Sequence, residues 1–212
     1  MQIKASYLRA RKYFQRHGAK ATVKRALLSV RNHFFFNREV VFWVDLLNRK
    51  SEEPAIQEKF VVERMEERSE IPNEMLKCLA EHQAEELLDN NLRERFERGA
   101  SLWCLRMDGD FIGYIWSSVG KAMKPHYLPL TERDVHLFDN FIFPKYRGRM
   151  QNSILMNHVL DRLKIQGLQR AYIETAEWNH LELKSLAKIR FVRIGLAKRR
   201  FRQGKSIVTW WY

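Results

Sequence analysis

The sequence predicts a mixed α/β domain, one sheet with helices on both faces, preceded by a basic helical extension. Three observations carry this prediction. The hydrophobic period switches repeatedly between that of helices and that of strands. An Asp-Gly pair between two apolar runs marks an antiparallel hairpin. Two strand–helix–strand units follow the hairpin, and such units cover both faces of a sheet. With 212 residues, 45% hydrophobic and 30% charged, the chain can bury one substantial core, which excludes a disordered or collagen-like polymer.

The elements follow in order. Across residues 3–36, Ile3, Tyr7, Ala10 and Phe14 recur at helical spacing, His17-Gly18 interrupts them, and Val23, Leu27, Val30 and Phe34 resume the pattern, giving two basic amphipathic helices. Val40 to Val44 is β-branched and aromatic, a short strand. Residues 48–58 have linker composition, and a boundary near residue 50 divides a helical extension with a short strand (1–50) from the main domain (51–212). Phe60 to Met65 reads as a strand, and Pro72 to Arg98 as one helix that opens on Pro and closes at Gly99. Ser101–Met107 and Phe111–Ser117 flank Asp108-Gly109-Asp110 as a hairpin. Val135–Phe143 is a strand, Ser153–Gln166 a helix ended by Gly167, Ala171–Thr175 a strand and His180–Lys188 a helix. Phe191–Arg202 and Lys205–Tyr212 are two last strands joined at Gln203-Gly204.

Charge narrows the function classes. The formal net charge is +13, but residues 1–38 hold ten Lys/Arg and no acid, and residues 184–212 hold nine and no acid. The segment 39–183 holds nineteen against twenty-five acids, so a uniformly basic nucleic-acid surface is disfavoured. The basic N-terminal segment fits an anionic membrane surface, a nucleic acid, or packing against the acidic middle of the chain. Cys78 and Cys104 form no paired motif, so neither a disulfide framework nor a structural zinc site is indicated. His126, His136, His158 and His180 lack metal-ligand spacing and are assigned to surface or packed positions, and no metal is expected. Trp210-Trp211-Tyr212 is expected to complete the last strand. No secretory signal or membrane-spanning run is read, and a cytoplasmic protein, peripheral at a membrane through residues 1–38 at most, is the expectation.

The segment Phe141 to Ser153 carries the chemistry. It runs from a strand into a helix through Pro144 and Gly148, with Arg147 and Arg149 alongside. Backbone amides at such a helix N-terminus make a ready anion site, and a phosphate-bearing ligand fits there. Ile142, Pro144, Arg147 and Gly148 match the strand ending Val/Ile-x-Pro-x-x-Arg-Gly of a known family. Downstream, Ile173-Glu174, Asn179 and Ser185 to Phe191 align without a gap with a second family stretch. On these residues, and on element order from about residue 58 onward, the chain resembles the GNAT superfamily of acyl-CoA-dependent N-acyltransferases.

The resemblance implies a mixed, mostly antiparallel sheet and transfer of an acyl group from acetyl-CoA or another acyl-CoA to a primary amine of a small molecule, amino sugar or peptide. It implies that Phe141, Ile142 and Phe143 hold the pantetheine arm through the main chain. By the same resemblance Arg147, Gly148, Arg149, Met150, Gln151, Asn152 and Ser153 form the phosphate site, and Asn179 bonds the pantetheine or caps the next helix. Glu174 falls where several members carry a base, and Asp139 lies on the strand beside the site. Both are expected to have a carboxyl raised by apolar surroundings. Three departures stand out: Met150 and Asn152 replace small residues of the phosphate loop, Leu186 replaces the customary tyrosine, and Arg190 replaces the glycine before Phe191. Ser185 is the candidate to relay a proton in that tyrosine's place. A module that binds coenzyme A or a partner without turnover is the alternative these departures leave open, and a basic nucleic-acid-associated protein is the second.

Overall fold

In the computed structural model of the chain, the described residues are 2–35, 38–50, 59–82, 85–120, 126–148, 150–202 and 205–211. Helix α1 (Gln2–Phe35) is two helices joined at Gly18, whose φ of 76° and ψ of 177° are non-helical, so the interruption expected at His17-Gly18 is present. The Arg25 guanidinium lies 4.2 Å from the Tyr13 ring centre. Twelve residues of straight helix span about 18 Å, so the chain turns back on itself at Gly18. None of the described α1 side chains is buried. Among the described residues no helix is long and apolar enough to cross a membrane.

Strand β1 (Glu39–Asp45) follows, then β2 (Phe60–Met65), α2 (Asn73–His82) and α3 (Glu85–Glu97). The helix expected over 72–98 is present as α2 and α3, with residues 83 and 84 outside the described residues. The hairpin is β3 (Ala100–Met107) and β4 (Asp110–Val119), turning at Asp108 and Gly109, which both have positive φ. Then come β5 (Asp134–Ile142), α4 (Gln151–Ile165), β6 (Arg170–Ala176), α5 (His180–Lys188), β7 (Val192–Arg202) and β8 (Lys205–Trp211).

All eight strands join one sheet in the order β2-β3-β4-β5-β6-β1-β7-β8. Every neighbouring pair is antiparallel except β5 and β6, which the α4 crossover makes parallel. The alternation of each strand sends apolar side chains to both faces. One face packs Phe42, Leu105, Ile115, Leu137 and Ile173 against Leu155, Val159 and Leu160 of α4 and Leu186 and Ile189 of α5. The other packs Leu102, Cys104, Tyr114 and Trp116 against Met75 and Leu79 of α2 and Leu88 and Leu92 of α3.

The position of β1 departs from the expected division of the chain. It lies between β6 and β7, paired antiparallel with both, and buries Val40, Val41, Phe42 and Val44. A cut near residue 50 thus removes an inner strand of the sheet. The signal is non-local: an isolated run of five strand-forming residues does not say which neighbours it joins.

Candidate active site

The site begins where two strands part. β5 and β6 pair only from Asp134 with Arg170 to Leu137 with Ile173. Beyond that point β5 stays with β4 as far as Ile142 and β6 stays with β1 as far as Ala176, which opens a wedge between them. The β4–β5 register shifts between Tyr114 and Trp116, and Asp139 takes φ 48°. This bulge re-aims the strand: Phe138 and Phe141 both face the α2–α3 side, while Asn140 turns to α5. The Phe143 amide bonds Ile112 O of β4 at 2.9 Å. Alternation along the strand then turns the Ile142 amide toward the wedge. Gly113 makes this possible, since a Cβ there would lie 2.8 Å from Phe141 O.

On the α2–α3 face, at the mouth of the wedge, stands Glu174. It is the first β6 residue past the last β5 pairing. His136 Nε2 reaches its two oxygens at 2.8 and 3.0 Å, and His126 Nε2 reaches it at 3.3 Å. His136 is brought there by register: it lies opposite Tyr172, and Glu174 is two residues further on the same face. His126 comes from the loop before β5, which is tied over β1. Tyr127 OH bonds Glu39, and its ring packs with Val41 and Ala197. Arg199 lies over the same ring, so β1 and β7 build one wall of the site.

These histidines correct the expected behaviour of Glu174. Burial pushes its carboxyl up, but the adjacent His136 and His126, by charge and hydrogen bond, outweigh burial and bring it down to about 2. Glu174 is therefore a fixed anion and a poor proton acceptor near neutral pH. The other side chains of the cluster that can accept a proton are the imidazoles, assigned from sequence to surface or packed positions. His126 Nδ1 accepts the Leu128 N–H at 3.3 Å, which leaves Nε2 protonated and donating to Glu174. His136 differs. With Nε2–H given to Glu174, its Nδ1 lone pair has no hydrogen bond among the described residues. His136 is partly exposed, and its ring stacks on Phe138 with centres 5.2 Å apart.

The ligand atoms of His126, His136 and Glu174 lie within 4.8 Å of one another, a grouping that residue spacing could not reveal. A metal-bound imidazole donates its second N–H to an acceptor. His126 instead faces a backbone donor, so its bonding suits a hydrogen-bonded network better than a metal centre.

The cluster has a consequence for stability. The Glu174 carboxyl sits near 2 in the fold against an ordinary 4.5, so its contribution is complete above about pH 4.5 and is lost as pH falls toward 2. Its size is on the order of a few kcal/mol. Thermal unfolding of Glu174→Gln followed from pH 6 to pH 2 is expected to show a shallower acid loss than the wild type; parallel curves would remove the charged contact.

The other expected residues are placed as follows. The Asp139 carboxylate is ion-paired with Arg95 of α3 and half-exposed, not set in an apolar strand. Asn179 caps α5, accepting the Glu182 N–H at 3.4 Å, while its amide donates to Thr175 Oγ1 at 3.3 Å. The side chains of Phe141 and Phe143 join the aromatic cluster on the α2–α3 face, leaving only their main chain to serve a ligand. Arg147 Nε holds Ile142 O at 2.8 Å, with its guanidinium over the Phe141 ring. Arg149 lies outside the described residues.

Gly148 has φ 90°, and Met150 caps α4 in the left-handed region at φ 66° with its side chain 73% exposed. A left-handed angle at methionine costs about 1 kcal/mol or more. Arg190 is left-handed too, at φ 67°, and its amide and that of Phe191 bond Ala187 O and Leu186 O in a Schellman closure of α5. The amides of Ser153 and Ile154 are both taken by Met150 O, so Ser153 offers only its hydroxyl, whereas the Asn152 amide precedes the first intrahelical bond.

On the α5 side of the wedge lies a row of polar groups. Asn140 Nδ2 donates to Glu182 Oε1 at 3.0 Å, and Asn152 Nδ2 donates to Ser185 Oγ at 2.7 Å. Asn140 Oδ1 and Asn152 Oδ1 are buried with no partner. Leu186 is fully buried in the core and does not face this row.

Residues 63–188 match the acetyltransferase (GNAT) family. No match is found among curated proteins. Among solved structures, the chain is similar to a tandem GNAT protein from the clavulanic acid biosynthesis pathway (TM-score 0.57, 16% identity, 75% of this chain and 51% of that one). It is also similar to the GCN5-related glucosamine N-acetyltransferase region of a fungal multi-domain GH3 β-N-acetylglucosaminidase (TM-score 0.56, 17% identity, 82% of this chain and 22% of that one). A third is a GNAT acetyltransferase from Colwellia psychrerythraea (TM-score 0.53, 13% identity, 74% and 53%). The chain spans about half or less of the length of each, and these likenesses concern the fold.

Proposed function

Because the chain belongs to the acetyltransferase (GNAT) family, with its profile covering residues 63–188, we propose that it is an acetyl-CoA-dependent N-acetyltransferase that modifies a primary amine by direct attack. The observation that carries this reading is the wedge between β5 and β6, with an imidazole–carboxylate pair at its mouth and a helix N-terminus at its far end.

The chain's own groups divide the work. The Asn152 amide at the start of α4, together with Arg147, forms the anion site for the diphosphate. Asn140 Oδ1 and Asn152 Oδ1, buried and lacking donors, suit the amide N–H groups of a pantetheine arm. Bound acetyl-CoA supplies the activated acetyl group. The Ile142 amide polarises the acyl carbonyl. His136 Nδ1 takes the proton of the amine, and Glu174 orients the ring and stabilises the imidazolium. Asp139, paired with Arg95, is a weaker candidate for the same task. The acceptor is a small molecule, sugar or peptide amine reaching the α2–α3 face beside His136, where the partly exposed Phe138 ring offers an aromatic contact.

Calorimetric titration with acetyl-CoA and desulfo-coenzyme A, together with thiol release across an amine panel, tests the reading. Binding of both ligands and amine-dependent thiol release are expected. No binding of either ligand would sink the proposal, and binding without turnover on any amine would favour the non-catalytic module.

A further inference from the structure

The transferase reading leaves one requirement without a residue. When the carbon–sulfur bond breaks, the electron pair stays on sulfur and a proton must reach it. Leu186 occupies the family's tyrosine position and lies in the core at 0% exposure, so it supplies none. Ser185 faces the wedge through Asn152, but a serine hydroxyl is too weak an acid to act without a proton source behind it.

One carboxyl on the same helix is unused by the mechanism above. Glu182 lies one turn before Leu186 on α5. It is partly buried, and no ion pair holds it among the described residues. Its Oε1 accepts the Asn140 amide at 3.0 Å, and its own N–H is capped by Asn179. Asn140 belongs to the β5 bulge, three residues past the last β5–β6 pairing, so the carboxyl is fixed where the strands open. That bond uses Oε1 as an acceptor and leaves Oε2 able to carry a proton. Burial pushes the Glu182 carboxyl up, and the Asn140 bond only partly opposes it.

Resting on the transferase reading, we propose that Glu182 is the catalytic acid of this protein and protonates the departing coenzyme A sulfur in place of the missing tyrosine. The amine nitrogen forms its bond to the acetyl carbon, and its proton goes to His136 Nδ1. The carbon–sulfur bond breaks toward sulfur, and the Glu182 proton goes to that sulfur. The products are the amide and the free thiol. Solvent then returns the proton from His136 to Glu182, so no further reactant is consumed. Asn140 is a positioning residue that aims the carboxyl.

Two measurements on the full chain test this. The first compares wild type, Glu182→Gln and Ser185→Ala for acetyl-CoA affinity and turnover, with folding checked by thermal unfolding. Glu182→Gln keeps the acceptor for Asn140 and is expected to bind acetyl-CoA as the wild type does while kcat falls on the order of 100-fold. Ser185→Ala strips the partner of Asn152 Nδ2 and is expected to weaken acetyl-CoA binding more than it lowers kcat. The second is the pH dependence of kcat, in which the wild type is expected to lose rate as an acid deprotonates with rising pH and Glu182→Gln to lack that limb. Wild-type turnover in a folded Glu182→Gln protein, or the same high-pH limb in that variant as in the wild type, would overturn the assignment and leave the transferase reading standing. Failure of the wild type itself to bind acetyl-CoA would overturn both.

Discussion

Replacing His136 with glutamine is expected to lower kcat by about 10²- to 10⁴-fold, the usual worth of a positioned general base, while leaving acetyl-CoA affinity nearly unchanged. Glutamine can still donate to Glu174, so the buried carboxylate keeps a partner and the fold survives. What disappears is the Nδ1 lone pair. His126→Gln is the control. The His126 ring has both nitrogens committed, Nδ1 to Leu128 N–H and Nε2 to Glu174, so its loss should act mainly through the placement of Glu174. A folded His136→Gln protein with wild-type turnover would take the imidazole out of the proton path.

Truncation gives the second large effect, and it separates two nearby cut points. A chain starting at residue 38 is expected to fold with nearly unchanged thermal stability, because none of the described α1 side chains is buried. A chain starting at residue 47 is expected not to yield folded protein. It would lose Val40, Val41, Phe42, Val44 and Leu46, all buried, at roughly 1.5–3 kcal/mol each. That total, on the order of 10 kcal/mol, matches the whole stability of a typical domain. It would also leave β6 and β7 with open edges in the middle of the sheet. Circular dichroism and thermal melts of the two proteins decide the matter. A cooperative melt from the shorter chain would restore the boundary near residue 50. A synthetic peptide of residues 37–48 added to the shorter chain should recover part of the fold by completing the sheet.

Local features were legible in the sequence because their causes are local. The hairpin at Asp108-Gly109 followed from one turn dipeptide. The break at Gly18 and the closure of α4 at Gly167 followed from residues that favour positive φ. Asn179 was readable as a cap from its place before an apolar helix. The wrong expectations concern surroundings. Glu174 was read as desolvated with a raised carboxyl, and desolvation is indeed present, but two imidazoles from elsewhere in the chain reverse its sign. Asp139 was read the same way, yet the bulge turns it outward to Arg95. Met150 and Arg190 stand where glycine is customary and take left-handed angles at a local cost. Burial of Leu186 and Phe191 beside Arg190, and the start of α4 after Met150, impose those angles regardless.

The sequence by itself determined the order of the elements, the strand-to-helix anion loop and the family to which these belong, since periodicity, turn residues and short motifs act within a few residues of one another. Only the tertiary structure decided that β1 is an inner strand, that His126 and His136 converge on Glu174, and that Glu182 meets Asn140 where β5 and β6 part. Each of these depends on strand register and on contacts between residues tens of positions apart. The free energy of such contacts exists only once the sheet has closed.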